Sequence, residues 1–223
     1  MITVHHLNNS RSQRVLWLLE ELELPYEIVR YQRDAATLLA PPALRTVHPL
    51  GKSPVVTIGD LTLAETGAIV EYLAGHMGAG RLLPAHGTPE QFRCTYWIHY
   101  AEGSAMPPLL LMLIFNQIER QPVPFFVRPV MRMIAHRAKS RFIVPQLKLH
   151  LDFLERELAK SAWFAGPDFS IADIMLSFPL EAAAARGGLD AGRPNLWRFL
   201  ETIYARPAYR RALAKGGPYE VQS

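Results

Sequence analysis

Cysteine is almost absent from this sequence of 223 residues, which contains only Cys94, so no disulfide bond can form within one chain. Such sparing use of cysteine is typical of a reducing compartment and excludes a disulfide-stapled scaffold. The chain opens with no basic segment followed by an apolar run, and its most apolar stretch, 106–115, is too short to span a bilayer. We therefore expect a cytoplasmic protein without a membrane partner.

Metal-ligand spacing is also lacking. The eight histidines form no HExxH pattern and no Cys/His pairs of the kind that bind zinc. His5 and His6 are adjacent on a predicted strand, where neighbouring side chains face opposite sides of the sheet. The sequence therefore predicts no metal site.

A large excess of charge of either sign is lacking too. Lys and Arg number 24 against 20 Asp and Glu, and the net charge of +4 is too small to indicate nucleic acid. One stretch, 128–141, is basic and contains no acid: Arg128, Arg132, Arg137, Lys139 and Arg141. Such a run usually forms a solvated helix face, although attraction of anionic substrates or a weak nucleic-acid contact would also explain it. We expect no nucleic-acid partner.

The first third of the chain alternates strand and helix patterns. A β-prone run at 2–6 is followed by a helical spacing of apolar residues and by a second β-prone run at 26–31. Strand, helix and strand in this order predict a right-handed βαβ unit with parallel strands.

A proline-rich, irregular stretch, 41–54, comes next, followed by two short β-prone runs on either side of Gly59-Asp60. A glycine in that position suits a two-residue hairpin turn. A further helix is predicted to begin at Glu65-Thr66. The resulting order, βαβ-α-ββα, predicts an α/β domain of the thioredoxin-like type.

The rest of the chain is predicted to be helical. Residues 78–88, rich in Gly, Pro and Ala, form the predicted linker between a first domain, 1–77, and an all-α helical bundle, 89–223. Its helices are predicted at about 89–118, 124–159, 170–186 and 195–205, with a short one near the end. Prolines at 107, 129 and 145 should kink or interrupt the first two.

One of these helices has a well-marked start. In the sequence FSIADI, 169–174, Ser170 and Asp173 have the spacing of a capping box, with Asp in the usual place of Glu. We expect this motif to serve folding and to have no part in catalysis.

Ser10 precedes the first predicted helix, where its hydroxyl can satisfy a free backbone N–H as an N-cap. Alternatively, the hydroxyl donates a hydrogen bond to a bound thiolate, at a place where the helix end adds partial positive charge. Lowering the pKa of a thiol from about 8.5 by about two pH units requires about 2.7 kcal/mol of preference for the anion. One hydrogen bond to a charged group supplies about 1.5–3 kcal/mol, so a hydroxyl and a helix end suffice.

Two further pairs have both an ordinary and a functional interpretation. Ser53-Pro54 is a trans turn or, if its peptide bond is cis, presents the Ser53 backbone to a peptide-like ligand. Glu65 and Thr66 suit the first turn of any helix. They would also suit the recognition of an α-amino acid, whose carboxylate binds the helix end and hydroxyl while the acid binds the ammonium group.

Large side chains of the first long helix are most simply explained as core. They are Tyr96, Tyr100, Met106, Met112 and Phe115. Methionines at a pocket would instead suit varied hydrophobic ligands. The sequence leaves both interpretations open.

Four motifs along the chain resemble those of one family. They are HHLNNSRSQRVLWLLEELELPYEIV, HPLGKSP, LAETGAIVEYL and FSIADI. They are similar, in the same order, to the first βαβ unit, the NPxGKVP link, the glutamate–serine helix start and the helical signature of the glutathione transferases. The resemblance covers nearly the whole chain, is weakest over 106–141, and is to cytosolic, serine-type bacterial members.

The resemblance implies roles for the candidate residues. Ser10 would stabilise the thiolate of glutathione, with Asn9 and Ser12 as alternative partners of the sulfur. The remaining glutathione-binding residues would be Lys52, Ser53, Pro54, Glu65 and Thr66. Of these, Lys52 would bind the glycyl carboxylate, Ser53 the cysteinyl backbone beside a cis Pro54, and Glu65 with Thr66 the γ-glutamyl end.

The second substrate would lie against a separate set of side chains. They are Arg11, Tyr96, Tyr100, Met106 and Met112. No cysteine stands at 9–12, where some family members have a nucleophilic one, so a glutaredoxin-like mechanism is not expected. Thr66 replaces the family's usual Ser and Ser53 its usual Val.

The function implied is that of an enzyme, a glutathione transferase that joins glutathione to small hydrophobic electrophiles in detoxification. Glutathione is then a cosubstrate, and no cofactor is expected. The resemblance also implies a homodimer. The alternatives are a glutathione-dependent peroxidase acting on organic hydroperoxides and a non-catalytic, ligand-binding scaffold.

Overall fold

Four strands form one mixed sheet. The structure, a computed structural model, describes residues 1–34, 37, 39–217 and 219. The strands are β1 (Ile2–Leu7), β2 (Tyr26–Tyr31), β3 (Val55–Ile58) and β4 (Leu61–Ala64), in the spatial order β2-β1-β3-β4. β1 and β2 are parallel, with Ile2 opposite Tyr26, whereas β1 with β3 and β3 with β4 are antiparallel. This topology confirms the predicted thioredoxin-like α/β class.

The first helix, α1 (Ser12–Glu21), is buried along almost its whole length. It packs against β1 on one side and against helices from the second half of the chain on the other. The Trp17 ring contacts the rings of Phe169 and Tyr209, with centroids 5.6 and 5.0 Å apart. Apolar side chains on all faces follow from this position, because α1 lies between two layers.

The proline-rich stretch contains one regular element, a 3₁₀ turn at Pro42–Thr46. The hairpin follows as predicted, and Gly59 has the positive φ, +57°, that its turn requires. Helix α2 (Thr66–Tyr72) continues as a wider π-turn, Leu73–Met77, so the helical run ends at Met77.

After residue 88, all regular structure in the described part of the chain is helical. The helices are α3 (Pro89–Tyr100), α4 (Met106–Arg120), α5 (Arg128–Ala138), α6 (Val144–Leu158), α7 (Ile171–Ala182), α8 (Pro194–Ala205) and α9 (Pro207–Gly216). This confirms the all-α class predicted for the second half.

Proline affects the long helices at two of the three predicted places. Pro107 and Pro145 each follow a π-helical segment, Ala101–Ala105 and Lys139–Ile143, which widens the turn before the residue that lacks an N–H. Pro129 differs from the prediction, because it lies in the first turn of α5, where an N–H has no helical partner in any case. The helix therefore begins at Arg128 and not near residue 124.

Helix α7 is buried at every position, and its start has the predicted capping box. The Asp173 carboxylate accepts hydrogen bonds from the backbone N–H of Ser170 and of Phe164, both at 2.9 Å. The Ser170 hydroxyl accepts from the N–H of Ala172 at 3.3 Å. Because these groups are out of contact with water, the motif holds both the helix and the loop before it.

By length and composition alone, one helical run could cross a membrane. It covers residues 89–120, with a mean hydropathy of 1.2 in its most apolar window, 44% of which is buried in the protein. The stretch 106–115 considered in the sequence is thus part of a longer helix. A core helix of a soluble protein meets the same criterion, so this feature is weak evidence for a membrane span.

Replacing Asp173 with Ala should lower the free energy of unfolding by about 2–4 kcal/mol, because two buried backbone N–H groups lose their acceptor. Urea denaturation followed by circular dichroism measures the loss. Thr202→Ala, on the exposed face of α8, is the matched control and should change stability by less than about 0.5 kcal/mol. Equal stability of the two variants would contradict the assigned role.

Candidate active site

A pocket of about 770 Å³ lies between the sheet and the helices. Residues predicted from the sequence that line it are Asn9, Arg11, Lys52, Ser53, Pro54, Glu65, Thr66 and Met106. Loops at one end of the sheet thus face side chains from α4 and from the end of α7. Polar groups and an apolar wall share one cavity, which is typical of small-molecule sites.

The loop after β1 forms the floor of this pocket. Asn8 fixes the loop to the residues after β2, because its side-chain oxygen accepts from the Arg33 N–H at 2.8 Å and its carbonyl accepts from Arg33 Nε at 3.2 Å. Asn9 has a left-handed φ of +50°, a conformation that Asn adopts more readily than most residues. This turn places Asn9 in the pocket wall.

Ser10 and Ser12 lie behind the wall and do not line the pocket. Both are buried, and their hydroxyl oxygens are 2.7 Å apart. The Ser10 hydroxyl accepts from the Ser12 N–H at 3.2 Å, which is the hydrogen bond of the capping interpretation. The residue at the N-cap position itself is Arg11, whose side chain makes no capping bond.

The Ser10 hydroxyl belongs to a buried hydrogen-bond network. Ser12 Oγ lies 2.8 Å from His6 Nδ1 and donates to the carbonyl of Leu7 at 3.3 Å. Burial, together with Arg30, lowers the pKa of His6 to about 4, although a hydrogen bond with the Gly216 backbone opposes this. The ring is therefore neutral at pH 7. When the Ser12 proton goes to His6 or Leu7, the Ser12 oxygen accepts from Ser10.

Glu65 and Thr66 stand at the start of α2. Glu65 has a φ of +68°, uncommon for a residue with a side chain, and makes no capping hydrogen bond. Such backbone conformations cost about 1–3 kcal/mol and cluster at ligand sites. An ordinary helix-start role does not explain this geometry, whereas exposure of a carboxylate to the pocket does.

The segment before β3 lies beside this helix start. The Ser53–Pro54 peptide bond, which the sequence left open, is cis. The Ser53 hydroxyl donates to the carbonyl of His5 at 3.0 Å, which attaches the segment to β1. Lys52, Ser53 and Pro54 all line the pocket next to Glu65.

The opposite wall is apolar and comes mainly from α4. Its side chains recur at helical spacing: Met106, Leu110, Leu113, Ile114 and Gln117. The other candidates from this region do not reach the pocket. Met112 points into the core, Tyr100 is buried with its hydroxyl 2.5 Å from His150 Nδ1, and Tyr96 packs on the rings of Trp97 and Tyr100. For these three residues the core or surface interpretation applies.

An ion-pair cluster joins the loop to the helices at the edge of the pocket. Arg11 Nε donates to both carboxylate oxygens of Glu102, at 3.1 and 2.9 Å. The buried Arg14 donates to the same carboxylate and, at 2.6 Å, to the carbonyl of Met175. Burial opposes the charged form of Glu102, but the two guanidinium groups outweigh it and lower the pKa of the carboxyl.

Sequence reasoning missed several residues that line this pocket. They are Arg33, Glu102, Leu110, Leu113, Ile114, Gln117, Phe178 and Arg186. A signal existed for Glu102, which is an isolated acid between apolar parts of one long helix. Helical spacing from Met106 would have identified Leu110, Leu113 and Gln117. Nothing local marked Arg33 or Arg186, because tertiary contacts alone bring them to the site.

The chain's cysteine lies away from the pocket. Cys94 is buried against α7, and burial raises the pKa of its thiol to about 11, although its contact with Ser170 opposes this. A buried thiol of this kind is unreactive. Within the described ranges, no three or more His, Cys, Asp or Glu side chains are grouped so as to hold a metal ion.

Comparison with known proteins gives consistent relatives. Residues 1–75 match the family profile of the glutathione S-transferase N-terminal domain, and residues 131–202 match that of the C-terminal domain. Glutathione S-transferase 3 of Schizosaccharomyces pombe is 35% identical over 96% of this chain and 88% of its own length. Disulfide-bond oxidoreductase YfcG of Escherichia coli is 28% identical over 96% of this chain and 95% of its own.

Solved structures agree with these relatives. A glutathione S-transferase from Actinobacillus pleuropneumoniae is 32% identical and superposes with a TM-score of 0.82 over 99% of this chain and 95% of its own. A two-layered thioredoxin-like domain joined to helices, with a ligand pocket between them, is the architecture of this class. The chain belongs to the glutathione S-transferase family and is a glutathione transferase.

Replacing Glu102 with Gln should lower the free energy of unfolding by about 2–4 kcal/mol at pH 7, because the buried Arg14 loses its counter-charge. The pKa of Glu102 is lowered from 4.5 in the folded state, so its contribution is present above that pH and is lost as the pH falls through the folded-state value.

Urea denaturation at pH 7 and at acid pH checks both parts of this prediction. The difference in the free energy of unfolding between wild type and Glu102→Gln should be large at pH 7 and shrink below pH 4.5. Glu201→Gln, an exposed position on α8, is the control and should differ little from wild type at either pH. If the stability difference stays constant with pH, the charge of Glu102 is not what stabilises the fold.

Proposed function

We propose that this transferase conjugates glutathione to small hydrophobic electrophiles, with the sulfur held as a thiolate beside the loop after β1. The observation that carries the proposal is the pocket between the sheet and the helices, in which the predicted tripeptide-binding residues and the apolar wall of α4 line one cavity. A detoxifying role in the cytoplasm fits this chemistry and the single cysteine.

Binding of the tripeptide follows from the polar side of the pocket. The Glu65 carboxylate would pair with the γ-glutamyl ammonium, and the Thr66 hydroxyl with the free N–H groups of α2 would bind the adjacent carboxylate. The Ser53 backbone would pair with the cysteinyl unit, and Lys52 with the glycyl carboxylate. These contacts would direct the sulfur towards Asn9.

Asn9 is our candidate for the partner of the sulfur, in place of Ser10. It lines the pocket, and its side-chain amide carries N–H donors, whereas the Ser10 hydroxyl is buried beside that of Ser12 and does not line the pocket. One charge-assisted hydrogen bond supplies about 1.5–3 kcal/mol, and the Arg11 guanidinium nearby adds further preference for an anion. Ser10 would then act through the loop that it caps.

The reaction needs no further group. The thiol proton leaves to solvent, the thiolate attacks the electrophilic carbon, and a carbon–sulfur bond forms. In a substitution the bond from that carbon to the leaving group breaks, and the leaving group departs with its electron pair. In an addition the carbon–carbon double bond opens, and the resulting carbanion takes a proton from solvent. The apolar side chains of α4 would hold the electrophile and exclude water, which strengthens electrostatic interactions at the sulfur. Because Cys94 is buried and outside the pocket, the attacking sulfur would be that of glutathione.

Asn9→Gly should lower kcat/KM with 1-chloro-2,4-dinitrobenzene by about 10- to 100-fold and move the pH profile upward, because the thiolate loses its hydrogen bond. Glycine keeps the left-handed backbone at this position. Steady-state kinetics against pH measures both effects.

Ser10→Ala is the matched comparison. It should cost about 1 kcal/mol of stability through the lost cap but leave the pH profile in place. If the pH profile of kcat/KM shifts in Ser10→Ala but not in Asn9→Gly, Ser10 and not Asn9 stabilises the thiolate.

A homodimer is the second part of the proposal. Phe92 and Tyr96 are 74% and 42% exposed on α3, and Leu149 is 58% exposed on α6, which packs against α3. Neighbouring exposed apolar side chains mark protein interfaces. These residues are suited to cover the small domain of a second copy.

Light scattering at micromolar concentration should therefore give about twice the chain mass of 25.1 kDa. Phe92→Glu should shift the mass towards that of one chain, since it places a charge in an apolar contact. Thr202→Glu, on the exposed face of α8, should remain dimeric. A wild-type mass of one chain would exclude the dimer.

A further inference from the structure

Arg186 carries a positive charge that no carboxylate in the described part of the chain neutralises. The residue lies in the π-helical segment Ala183–Gly187 after α7 and lines the pocket. Its Nε atom is buried and has no hydrogen-bond partner, and no carboxylate among residues 1–34, 37, 39–217 and 219 forms an ion pair with it. Partly buried arginines are normally paired, because an unpaired charge away from water is costly.

The acids nearest to Arg186 in sequence are engaged elsewhere. Asp190 forms an ion pair with Arg193 at 2.9 Å. The buried Glu181 carboxylate accepts hydrogen bonds from the hydroxyls of Tyr209 at 2.5 Å and Tyr219 at 2.7 Å. Burial raises the pKa of Tyr219 well above its ordinary value, so its phenol stays neutral and supplies no counter-charge. The described residues therefore offer Arg186 no counter-charge, and an anionic ligand in the pocket would supply one.

Charge around this part of the pocket is positive even after the ion pairs are counted. Arg11 and Arg14 share the single carboxylate of Glu102, which leaves one positive charge, and Arg186 adds another. Burial lowers the pKa of the Arg186 guanidinium, and Tyr219 opposes this change. The positive charge of Arg11 lowers the pKa further, so Arg11 and Arg186 are close enough to repel each other. An anion placed between them would relieve this repulsion.

The remaining surface here is apolar. Met106, Leu110, Leu113 and Ile114 form the wall on α4, and Phe178 lies under the guanidinium groups of Arg11 and Arg14, each 5.3 Å from its ring centre. A ligand that fits has an apolar body along α4 and a negative group at the end near Arg186. A neutral hydrophobic molecule would leave the arginine unpaired.

We propose that the second substrate of this enzyme is an amphipathic carboxylic acid, with its carboxylate paired to Arg186 and its apolar, electrophilic body against α4. This rests on the proposed transferase function and specifies its substrate class. Arg186 is then a specificity-determining residue, because it binds a part of the substrate that does not react.

The test compares an acid with its neutral counterpart, 4-fluoro-3-nitrobenzoate and its methyl ester. In both, the glutathione thiolate attacks the carbon that bears fluorine, a carbon–sulfur bond forms, the carbon–fluorine bond breaks and fluoride leaves. The carboxyl group takes no part in the bond changes. Comparing each variant's KM with that of the wild type for the same compound cancels the ester's extra methyl group and its stronger activation of the ring.

Arg186→Gln should raise the KM of the acid at least about ten-fold relative to that of the ester, since the acid loses a charge-assisted contact. Arg137→Gln, an exposed arginine on α5, is the matched control and should leave both KM values unchanged. An equal effect of Arg186→Gln on acid and ester would overturn the proposal.

A binding measurement separates this inference from the transferase function and does not depend on the variant. By calorimetry, wild-type protein should bind unreactive 3-nitrobenzoate at least about ten-fold more tightly than methyl 3-nitrobenzoate. Ester binding that is equal or tighter would overturn the inference. If the enzyme turns over neither 4-fluoro-3-nitrobenzoate nor its methyl ester but still binds 3-nitrobenzoate more tightly than its ester, the anion site stands and the proposed reaction fails.

Discussion

The carboxylate of Glu102 is the interaction on which the arrangement of the site depends. It binds one guanidinium from the loop after β1 and one from inside α1, and Arg14 reaches further to the carbonyl of Met175 in α7. One partly buried carboxylate thus connects the thioredoxin-like part to the helices that form the opposite wall. Because breaking such a cluster leaves a charge unpaired in the interior, the relative position of loop and helices is fixed tightly. The pocket exists as one cavity only while that position is kept.

Local sequence patterns are sufficient to predict the fold. Strand, helix and hairpin signals gave the mixed sheet, and the capping box of Ser170 and Asp173 gave the start of α7, because each depends on neighbours a few residues away. The polar side of the pocket could also be predicted, since Lys52, Ser53, Pro54, Glu65 and Thr66 lie in short motifs. Prolines were harder to interpret: their effect depends on whether they fall in the first turn of a helix.

The rest of the site depends on tertiary structure. Ser10 resembles the thiolate-binding serine of the family, yet its hydroxyl is buried in a network with Ser12 and His6, which no pattern around residue 10 reveals. Tyr96 and Tyr100 were candidates by region, but the helix turns them away from the cavity that Met106 faces. Arg186 reaches the site across about 175 residues of intervening chain from Arg11, so only folding brings the two charges together.

The central claim is that the pocket binds glutathione as a thiolate. An ultraviolet difference titration of the enzyme–glutathione complex measures this most directly, because a thiolate absorbs where a thiol does not. The account predicts a pKa for the bound sulfur at least about one pH unit below the value of about 8.5 for a free thiol. A bound sulfur that titrates like the free thiol, in protein shown by calorimetry to hold glutathione, would contradict it.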